Sequence, residues 1–293
     1  LIEDCKIMNV NIKQAVKLFF ANPSLELVYF EAIANSLDAE ATEIDINLSI
    51  EEFSKPETLL ITIKDNGVGF TDERFAKFKE LLKVEEESHK GVGRLVFLSY
   101  FKNINITSYF DKKKRNIEFS ELFDGKSQVT DAPNQNRGTT IEFKNYYRKK
   151  IASHDYLRPE MLIKRIKEEF YPRLYLLKKQ SKDVIINVSL TVEKADEKHS
   201  FQSSKRHVHA SELPELKVEP MDAGIIEMFK QTELHYSIIK KDFDKTIITA
   251  LCVDGRSYKQ DIISDENIPY GYEIIFLLNS DLFTGQVDTS RQN

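Results

Sequence analysis

Two periods of apolar and polar residues alternate along the first half of the chain, and they predict helices and strands in turn. Residues 12–20 have helical spacing, and "NPS", Asn22 to Ser24, is a capping signal before a helix that contains "EAIANSLDA", Glu31 to Ala39. The next segment, "EIDINLSI", alternates apolar and polar residues, which predicts a half-buried strand. "LLITIK" predicts a second strand that runs into "DNGVGF".

The pattern then predicts a short helix, a charged loop and an antiparallel meander. The short helix covers residues 73–82, and "GVGRLVFLSYF" is a glycine turn that opens an apolar helix. "INITSYF", "RNIEFSELF" and "TTIEFK" predict strands, with "FDGK" as a hairpin turn. The order predicts an α+β fold in which helices cover one face of a mixed, mostly antiparallel sheet.

The second half predicts a helical connector and a smaller α+β domain. Residues 148–179 are helical in pattern, with a break or kink at Pro172, and four strand-like segments follow. The polar, basic segment 195–213 is predicted to be a mobile loop. We therefore predict a first domain at 1–147, a helical connector at 148–180 and a second domain at 181–293.

Composition and charge exclude several classes of protein. The chain has 293 residues, of which 41% are hydrophobic and 30% charged, and its net charge of −5 argues against binding nucleic acid by bulk electrostatics. Cys5 and Cys252 are the only cysteines, which gives no disulfide framework and suggests a reducing, cytoplasmic setting. No apolar run reaches the roughly 18 residues of a membrane span. The chain starts at Leu1 and stops without a closing element, so we expect a piece of a longer protein.

The helix at Glu31 carries a polar stripe with two interpretations. Glu31, Asn35 and Asp38 are spaced by four and three residues, which places them on one side, opposite Tyr29 and Ile33. The stripe is either a solvated face or a ligand-binding face. In the second case Glu31 could act as a base and Asn35 as an oxygen ligand beside a metal ion.

Three further segments are each compatible with an ordinary turn. "DNGVGF" leaves the Asp65 carboxylate at the end of a strand, beside two glycines. "SHKGVGRL" offers backbone N–H groups, Lys90 and Arg94 to an anion at the start of a helix. "NRGTTIEF" is a glycine-threonine step that enters a strand. Their joint order with the polar stripe makes coincidence implausible.

Together the four segments resemble the motifs of the GHKL ATPase superfamily, which includes gyrase, heat-shock chaperones, histidine kinases and MutL mismatch-repair proteins. The resemblance covers roughly residues 15–145 and implies the Bergerat-type α/β sandwich, with ATP and Mg2+ under a lid at about 75–90. It implies that Glu31 orients the attacking water, that Asn35 binds the metal and that Asp65 accepts from the adenine amino group. The other nucleotide-binding positions that it implies are Asp38, Gly67, Gly69, Lys90, Gly91, Gly93, Arg94 and Thr139.

The second half indicates a branch of that superfamily. No histidine precedes His89, where a sensor kinase would carry its phosphoacceptor, and Glu31 fits hydrolysis. "CVDGRSYKQDII" resembles a turn of MutL-type transducer domains, and "GQVDTSRQN" resembles the loop that sends a basic side chain, here Arg291, to the γ-phosphate. His207 and His209 lack cysteine or carboxylate partners at metal spacing, so they predict no zinc site.

The resemblance implies an ATPase that dimerises when ATP is bound, with the residues before Asn22 as an exchange segment. Two other functions stay open. One is a nucleotide-gated binding clamp with negligible turnover. The other is the ATPase module of a DNA-processing or defence protein, whose client would be nucleic acid or protein.

Overall fold

The computed structural model describes residues 12–79, 93–221, 232–242, 245–253, 256–260, 263, 266 and 268–280. The described residues divide into two compact units. The first takes its residues from the ranges 1–85, 89–162 and 186–206, and the second from 163–185 and 207–293. In the described residues, no helix has the length and apolar character needed to cross a membrane.

The described residues form helices and strands that are mixed along the chain. The helices are α1 Ile12–Phe19, α2 Glu26–Asp38, α3 Asp72–Lys79 and α4 Pro159–Lys179. The strands are β1 Glu43–Ile50, β2 Leu60–Asp65, β3 Phe101–Phe110, β4 Lys113–Phe119, β5 Gln128–Asp131, β6 Gly138–Tyr146, β7 Ile185–Val192, β8 Ser204–His209, β9 Lys217–Pro220, β10 Glu233–Lys240, β11 Thr246–Val253, β12 Arg256–Lys259 and β13 Tyr272–Asn279. Short 3-10 helices cover Pro56–Thr58, Gly93–Ser99, His154–Tyr156, Glu197–His199 and Ala210–Glu212.

An eight-stranded sheet organises the first unit, in the order β5-β4-β3-β6-β2-β1-β7-β8. The pairs from β5 to β1 are antiparallel. Along β1 the apolar residues at alternate positions are buried and the polar residues between them are more exposed, as the sequence pattern predicts. Val28, Ala32 and Ile33 of α2 are fully buried, so one face of the sheet and one face of the helix share the core. The predicted α+β fold, with a mainly antiparallel sheet and helices, is confirmed.

The strand β7 belongs to the first sheet, whereas we expected it in the second domain. Asn187 and Ser189 of β7 bond to Asp45 and Asn47 of β1 at 2.9 and 2.6 Å, so the two strands run in the same direction. A parallel neighbour needs a long crossover connection, and the chain between β1 and β7 supplies it. The described units therefore differ from the predicted boundaries at 147/148 and 180/181, because residues 186–206 lie in the first unit.

A second sheet of five strands lies in the second unit, in the order β12-β11-β13-β10-β9. β11 and β13 are parallel, and the other pairs are antiparallel. The inner strands β11 and β13 carry the buried side chains Ala250, Ile275 and Leu277. The predicted strand segments of this half are therefore present in the structure.

Three local predictions differ from the structure. The apolar segment after Gly93 is a 3-10 helix of seven residues, not the start of an α-helix. The helix α4 begins only at Pro159 and continues through Pro172, with the buried rings of Tyr171 and Tyr175 on either side. The segment 195–213 contains β8 and two 3-10 helices instead of a loop, because Phe201 and Ala210 are fully buried.

Candidate functional site

The polar stripe of α2 lies at the border between core and solvent. Glu31 is half-buried, and Asn35 and Asp38 are exposed. The Asn35 Nδ2 donates to the Glu31 Oε1 at 3.1 Å, one helical turn away. Arg74 of α3 donates to the backbone carbonyl of Asp38 at 2.9 Å. The hydrogen bond between Asn35 and Glu31 therefore orders the side chains at the Glu31 end of the stripe.

Asp65 is a buried carboxylate at the end of β2, with 7% of its surface exposed. Its Oδ2 accepts from the Ser36 hydroxyl at 3.1 Å, and its Oδ1 accepts from the Gly67 N–H at 2.9 Å. Ser36 follows Asn35 on α2, so the helix of the polar stripe also holds the Asp65 carboxylate. One helix therefore joins two of the four segments that the sequence singles out.

The environment of Asp65 disfavours its charged form. Burial raises the pKa of the Asp65 carboxyl above its usual value, and hydrogen bonds from Gly67, Ser36 and Thr139 oppose that rise only in part. A carboxylate held in this way does not stabilise the fold by its charge. A ligand that donates a hydrogen bond to it would favour the ionised form.

The turn after Asp65 requires glycine at position 69. Gly69 has a φ of 77°, and a Cβ there would lie 2.5 Å from the carbonyl oxygen of Tyr109 on β3. The Ser108 hydroxyl accepts from the Phe70 N–H at 2.8 Å and lies 3.1 Å from the Thr139 hydroxyl. The turn, β3 and β6 therefore meet without room for a side chain.

Thr139 lies beside Asp65 on the neighbouring strand. The register pairs Asp65 of β2 with Thr139 of β6, and the Thr139 residue is 5% exposed. The Ser108 hydroxyl, 3.2 Å from the Gly138 carbonyl, links this pair to β3. Asp65, Gly67, Gly69 and Thr139, which the sequence singles out in two separate segments, thus form one cluster.

Gly93 approaches the carboxylate of Glu31 closely. A Cβ at position 93 would lie 2.3 Å from the Glu31 Oε2, so glycine allows this contact. The next residue, Arg94, stacks its guanidinium over the Phe78 ring at 4.3 Å. Burial lowers the pKa of Arg94 to about 10, and the nearby Glu31 charge opposes that change.

Arg94 has hydrogen-bonding capacity that the described residues leave unused. Its Nε and Nη2 are buried, and neither finds a hydrogen-bond partner in the described ranges. A buried donor without a partner is costly in a folded protein. An anion bound between Arg94 and the Glu31 end of α2 would supply acceptors.

The structure places the predicted residues in two groups joined by α2. The first contains Glu31, Asn35, Gly93 and Arg94, and the second contains Asp65, Gly67, Gly69 and Thr139. Between Glu31 and Ser36 the helix rises by about 7.5 Å. The 3-10 helix at Gly93–Ser99 is too short for the expected helix-dipole anion site. Lys90, Gly91, Arg291, the lid beyond Lys79, the closing segment and the residues before Ile12 lie outside the described residues.

Two residues of this site were missed by the sequence analysis. Ser36 and Ser108 both hold the Asp65 end, through their hydroxyl groups. Serine in a helix or strand gives no distinctive signal, and Ser108 joins the site only through strand pairing with β6. Ser36 could have been suspected, because it is adjacent to the polar stripe.

The chain is similar to known proteins in sequence and in fold. Residues 23–145 match the family described as histidine kinase-, DNA gyrase B-, and HSP90-like ATPase. The N-terminal domain of a DNA repair protein has a similar fold, with a TM-score of 0.54 and 14% identity over 93% of this chain and 87% of that one. The Aquifex aeolicus MutL ATPase domain complexed with ADP aligns with a TM-score of 0.44 and 18% identity, over 92% of this chain and 97% of that one. No curated protein sequence gives a significant match.

Proposed function

We propose that the chain binds Mg-ATP between α2 and the first sheet and hydrolyses it, because residues 23–145 match the histidine kinase-, DNA gyrase B- and HSP90-like ATPase family. One observation carries this proposal. The same helix holds the buried Asp65 carboxylate through Ser36 and places Glu31 one and a half turns away.

The Asp65 end suits an adenine base. An ionised carboxylate has about four acceptor positions, and the bonds from Ser36, Gly67 and the Thr139 backbone leave room for one more donor. The exocyclic amino group of adenine is such a donor. A Cβ at Gly67 would lie 3.0 Å from the Asp65 Oδ1, so glycine keeps a side chain away from the carboxylate there. Gly69 shapes the turn that follows, and Thr139 supports the base from β6.

The Glu31 end suits the phosphates. Glu31 is a carboxylate at the edge of the core, where it can take a proton from an attacking water. Arg94 offers buried N–H donors without partners among the described residues, and these can bind phosphate oxygens. Asp38 continues the polar stripe toward solvent, and Lys90 and Gly91 would bind the phosphates with Gly93.

The donor set at this end also fits magnesium. Mg2+ prefers oxygen ligands and is usually held by few protein groups together with substrate phosphates. The Asn35 amide bonds to Glu31 through its nitrogen at 3.1 Å, which leaves its carbonyl oxygen for the ion. When bound, the ion would neutralise phosphate charge, while Asn35 and Glu31 orient the groups around it.

We further propose that nucleotide binding controls dimerisation. In this view the second unit is a transducer, and Arg291 reaches the γ-phosphate and stabilises the charge of the transition state. Its support is the resemblance of the closing segment and the similarity of fold to the N-terminal domain of a DNA repair protein. Hydrolysis would then release the closed homodimer and switch a larger, cytoplasmic assembly.

Two substitutions separate binding from hydrolysis. Asp65→Ala should weaken ATP binding by about 10- to 100-fold, because a charged hydrogen bond contributes about 1.5–3 kcal/mol. Glu31→Ala should bind ATP normally and lose about 10²- to 10⁴-fold in phosphate release. Calorimetric ATP titration and a phosphate-release assay measure the two effects.

A matched control is Asp45→Ala. Asp45 is a carboxylate on β1 that accepts from Asn187 at 2.9 Å, on the strand next to Asp65. Its loss should leave ATP binding and phosphate release unchanged. Wild-type ATP affinity in Asp65→Ala would show that the pocket is misplaced, and ATP binding without phosphate release in the wild type would favour the clamp.

A DNA-processing role is the second candidate, and the fold similarity to a DNA repair protein favours it. The test is retention of the full chain on duplex DNA with and without a non-hydrolysable ATP analogue, across a series of salt concentrations. Retention that depends on ATP and falls steeply with salt would support this role. Retention that depends neither on ATP nor on salt would exclude the DNA-processing role.

A further inference from the structure

A second cluster of chemically reactive side chains lies at the opposite end of β1. His154, Asp196 and His199 each offer a ligand atom, and the three atoms lie within 4.8 Å of one another. Asp196 and His199 follow β7, and Phe53, which contacts His154, follows β1. Since β1 has eight residues, this cluster lies roughly 20 Å along the strand from the Asp65 end.

A tight turn fixes two members of the cluster. The Asp196 Oδ1 accepts from the His199 N–H at 3.2 Å and its Oδ2 lies 2.7 Å from the His199 Nδ1. Asp196 and Phe201 exchange two backbone hydrogen bonds at 2.9 Å, and Phe201 is fully buried. The core therefore anchors the turn that brings the carboxylate and the imidazole together.

Aromatic packing fixes the third member. The His154 ring stacks on Phe53 with centroids 3.6 Å apart, and the edge of Phe201 meets it at 5.1 Å. The His154 and His199 rings are stacked 5.3 Å apart. The imidazole is thus held in one place by elements that follow three different strands.

The His154 ring has one nitrogen that the described residues leave unsatisfied. Its Nε2 is buried and has no hydrogen-bond partner within the described residues. An imidazole nitrogen without a hydrogen-bond partner can ligate a metal ion.

The charges around the cluster are largely paired. Lys194 bonds to Glu51 at 2.6 Å, and Arg158 bonds to Asp155 at 3.2 Å and to the carbonyl oxygen of His199. Glu52 and Glu197 also line the surface depression of about 540 Å³ that contains the cluster. A dication there would meet carboxylates as well as the two basic side chains.

We propose that His154, Asp196 and His199 bind a divalent transition-metal ion of the zinc class. Two imidazoles and a carboxylate are a donor set that zinc accepts, and the open depression leaves a fourth position for water. The bound ion ties the turn at Asp196–His199 to the turn at His154. This site is independent of the proposed nucleotide site, which lies at the other end of β1.

A second group of possible metal ligands offers an internal competitor. His207, His209 and Glu212 also have ligand atoms within 4.8 Å of one another, so the expectation that the two histidines lack a carboxylate partner is wrong. His207 and Glu212 are exposed, and the His209 Nδ1 lies 3.9 Å from Asp183. This group lacks a buried, unsatisfied nitrogen in the residues that the structure describes, so we favour the first cluster.

The experiment is a titration of the metal-stripped, untagged chain with ZnCl2 in the absence of nucleotide. Calorimetry should show one site, and Co2+ substitution should give the visible absorption of a four-coordinate site. His199→Gln and Asp196→Asn, which change exposed or half-buried side chains, should each weaken Zn2+ binding at least about 10-fold. Circular dichroism confirms that both variants fold.

Matched variants decide between the alternatives. His207→Gln and Glu31→Ala should retain wild-type Zn2+ affinity, because neither residue belongs to the cluster. Zn2+ binding that survives His199→Gln but disappears in His207→Gln would overturn the assignment. Absence of any Zn2+ or Co2+ binding to the wild-type chain would overturn it as well, and neither result would bear on ATP binding.

Discussion

Two carboxylates near opposite ends of β1 show how the same chemical group is used in different ways. Asp65, beside the start of β1, is buried, and burial raises the pKa of its carboxyl. Glu51, directly after β1, bonds to Lys194 and Lys55 at 2.6 Å each, and these bonds lower the pKa of its carboxyl to about 2. Glu51 is paired within the fold, whereas Asp65 is held by neutral donors in a space that suits a ligand.

Under the proposed function, the difference indicates where the fold gives up stability to bind a ligand. Perturbed carboxyl groups in a buried cluster are typical of functional sites, and exposed ion pairs contribute little to either function or stability. We therefore expect the stability of the fold to respond in opposite ways to substitution and to pH at Asp65 and at Glu51.

The strongest test concerns the turn after Asp65. Gly69→Ala adds a Cβ 2.5 Å from the Tyr109 carbonyl oxygen at a φ of 77°. Gly125→Ala meets nothing closer than 3.8 Å at a φ of 78°, so both variants share the backbone strain of about 1–2 kcal/mol. We expect Gly69→Ala to lower the free energy of unfolding by a further ~1–3 kcal/mol. Urea unfolding measures the difference. Equal free energies of unfolding for the two variants would show that the backbone near Asp65 can shift to accept the added methyl group.

A second prediction concerns the contact between Gly93 and Glu31. Gly93→Ala would place a Cβ 2.3 Å from the Glu31 Oε2, and the flexible carboxylate would have to move. The fold should persist, while phosphate release falls about 100-fold because a displacement of about 1 Å has that effect on catalysis. Gly125→Ala is again the control. If Gly93→Ala released phosphate at the wild-type rate, the proposed role of Glu31 in the reaction would be wrong.

The sequence predicts the Asp65 end of the molecule well and the other end poorly. Local periodicity predicts helix α2 and strands β1 and β2. Asp65 and Glu31 lie in segments whose order along the chain indicates a shared site. The cluster of His154 and His199 joins residues far apart in sequence, and only the parallel pairing of β7 with β1 places the turn at Asp196 beside Phe53. Periodicity in a strand does not specify its neighbour, so the domain boundaries that we drew from it differ from the structural units.

The third prediction is a pH dependence of stability at Asp65. A folded pKa above the usual value of 3.8 means that the folded state binds the proton more tightly than the unfolded state. The stability of the wild type should therefore fall, relative to that of Asp65→Asn, as pH rises from 3.8 through the folded pKa. Urea unfolding of both proteins between pH 3.5 and pH 7 measures the difference. A difference that does not change with pH would show that Asp65 is not strained by burial.

The smallest effect is expected at Glu51, with the opposite sign. Its folded pKa of about 2 lies below the usual 4.5, so its ion pairs stabilise the fold above about pH 4.5 and lose that contribution as pH falls through about 2. Glu51→Gln should destabilise the fold slightly at pH 7 and less so in high salt, because the pairs with Lys194 and Lys55 are exposed and screened, and the effect should vanish below about pH 2. The same urea series measures this change. A Glu51→Gln effect that grows as pH falls would mean that burial, not pairing, governs this carboxylate, and the contrast with Asp65 would disappear.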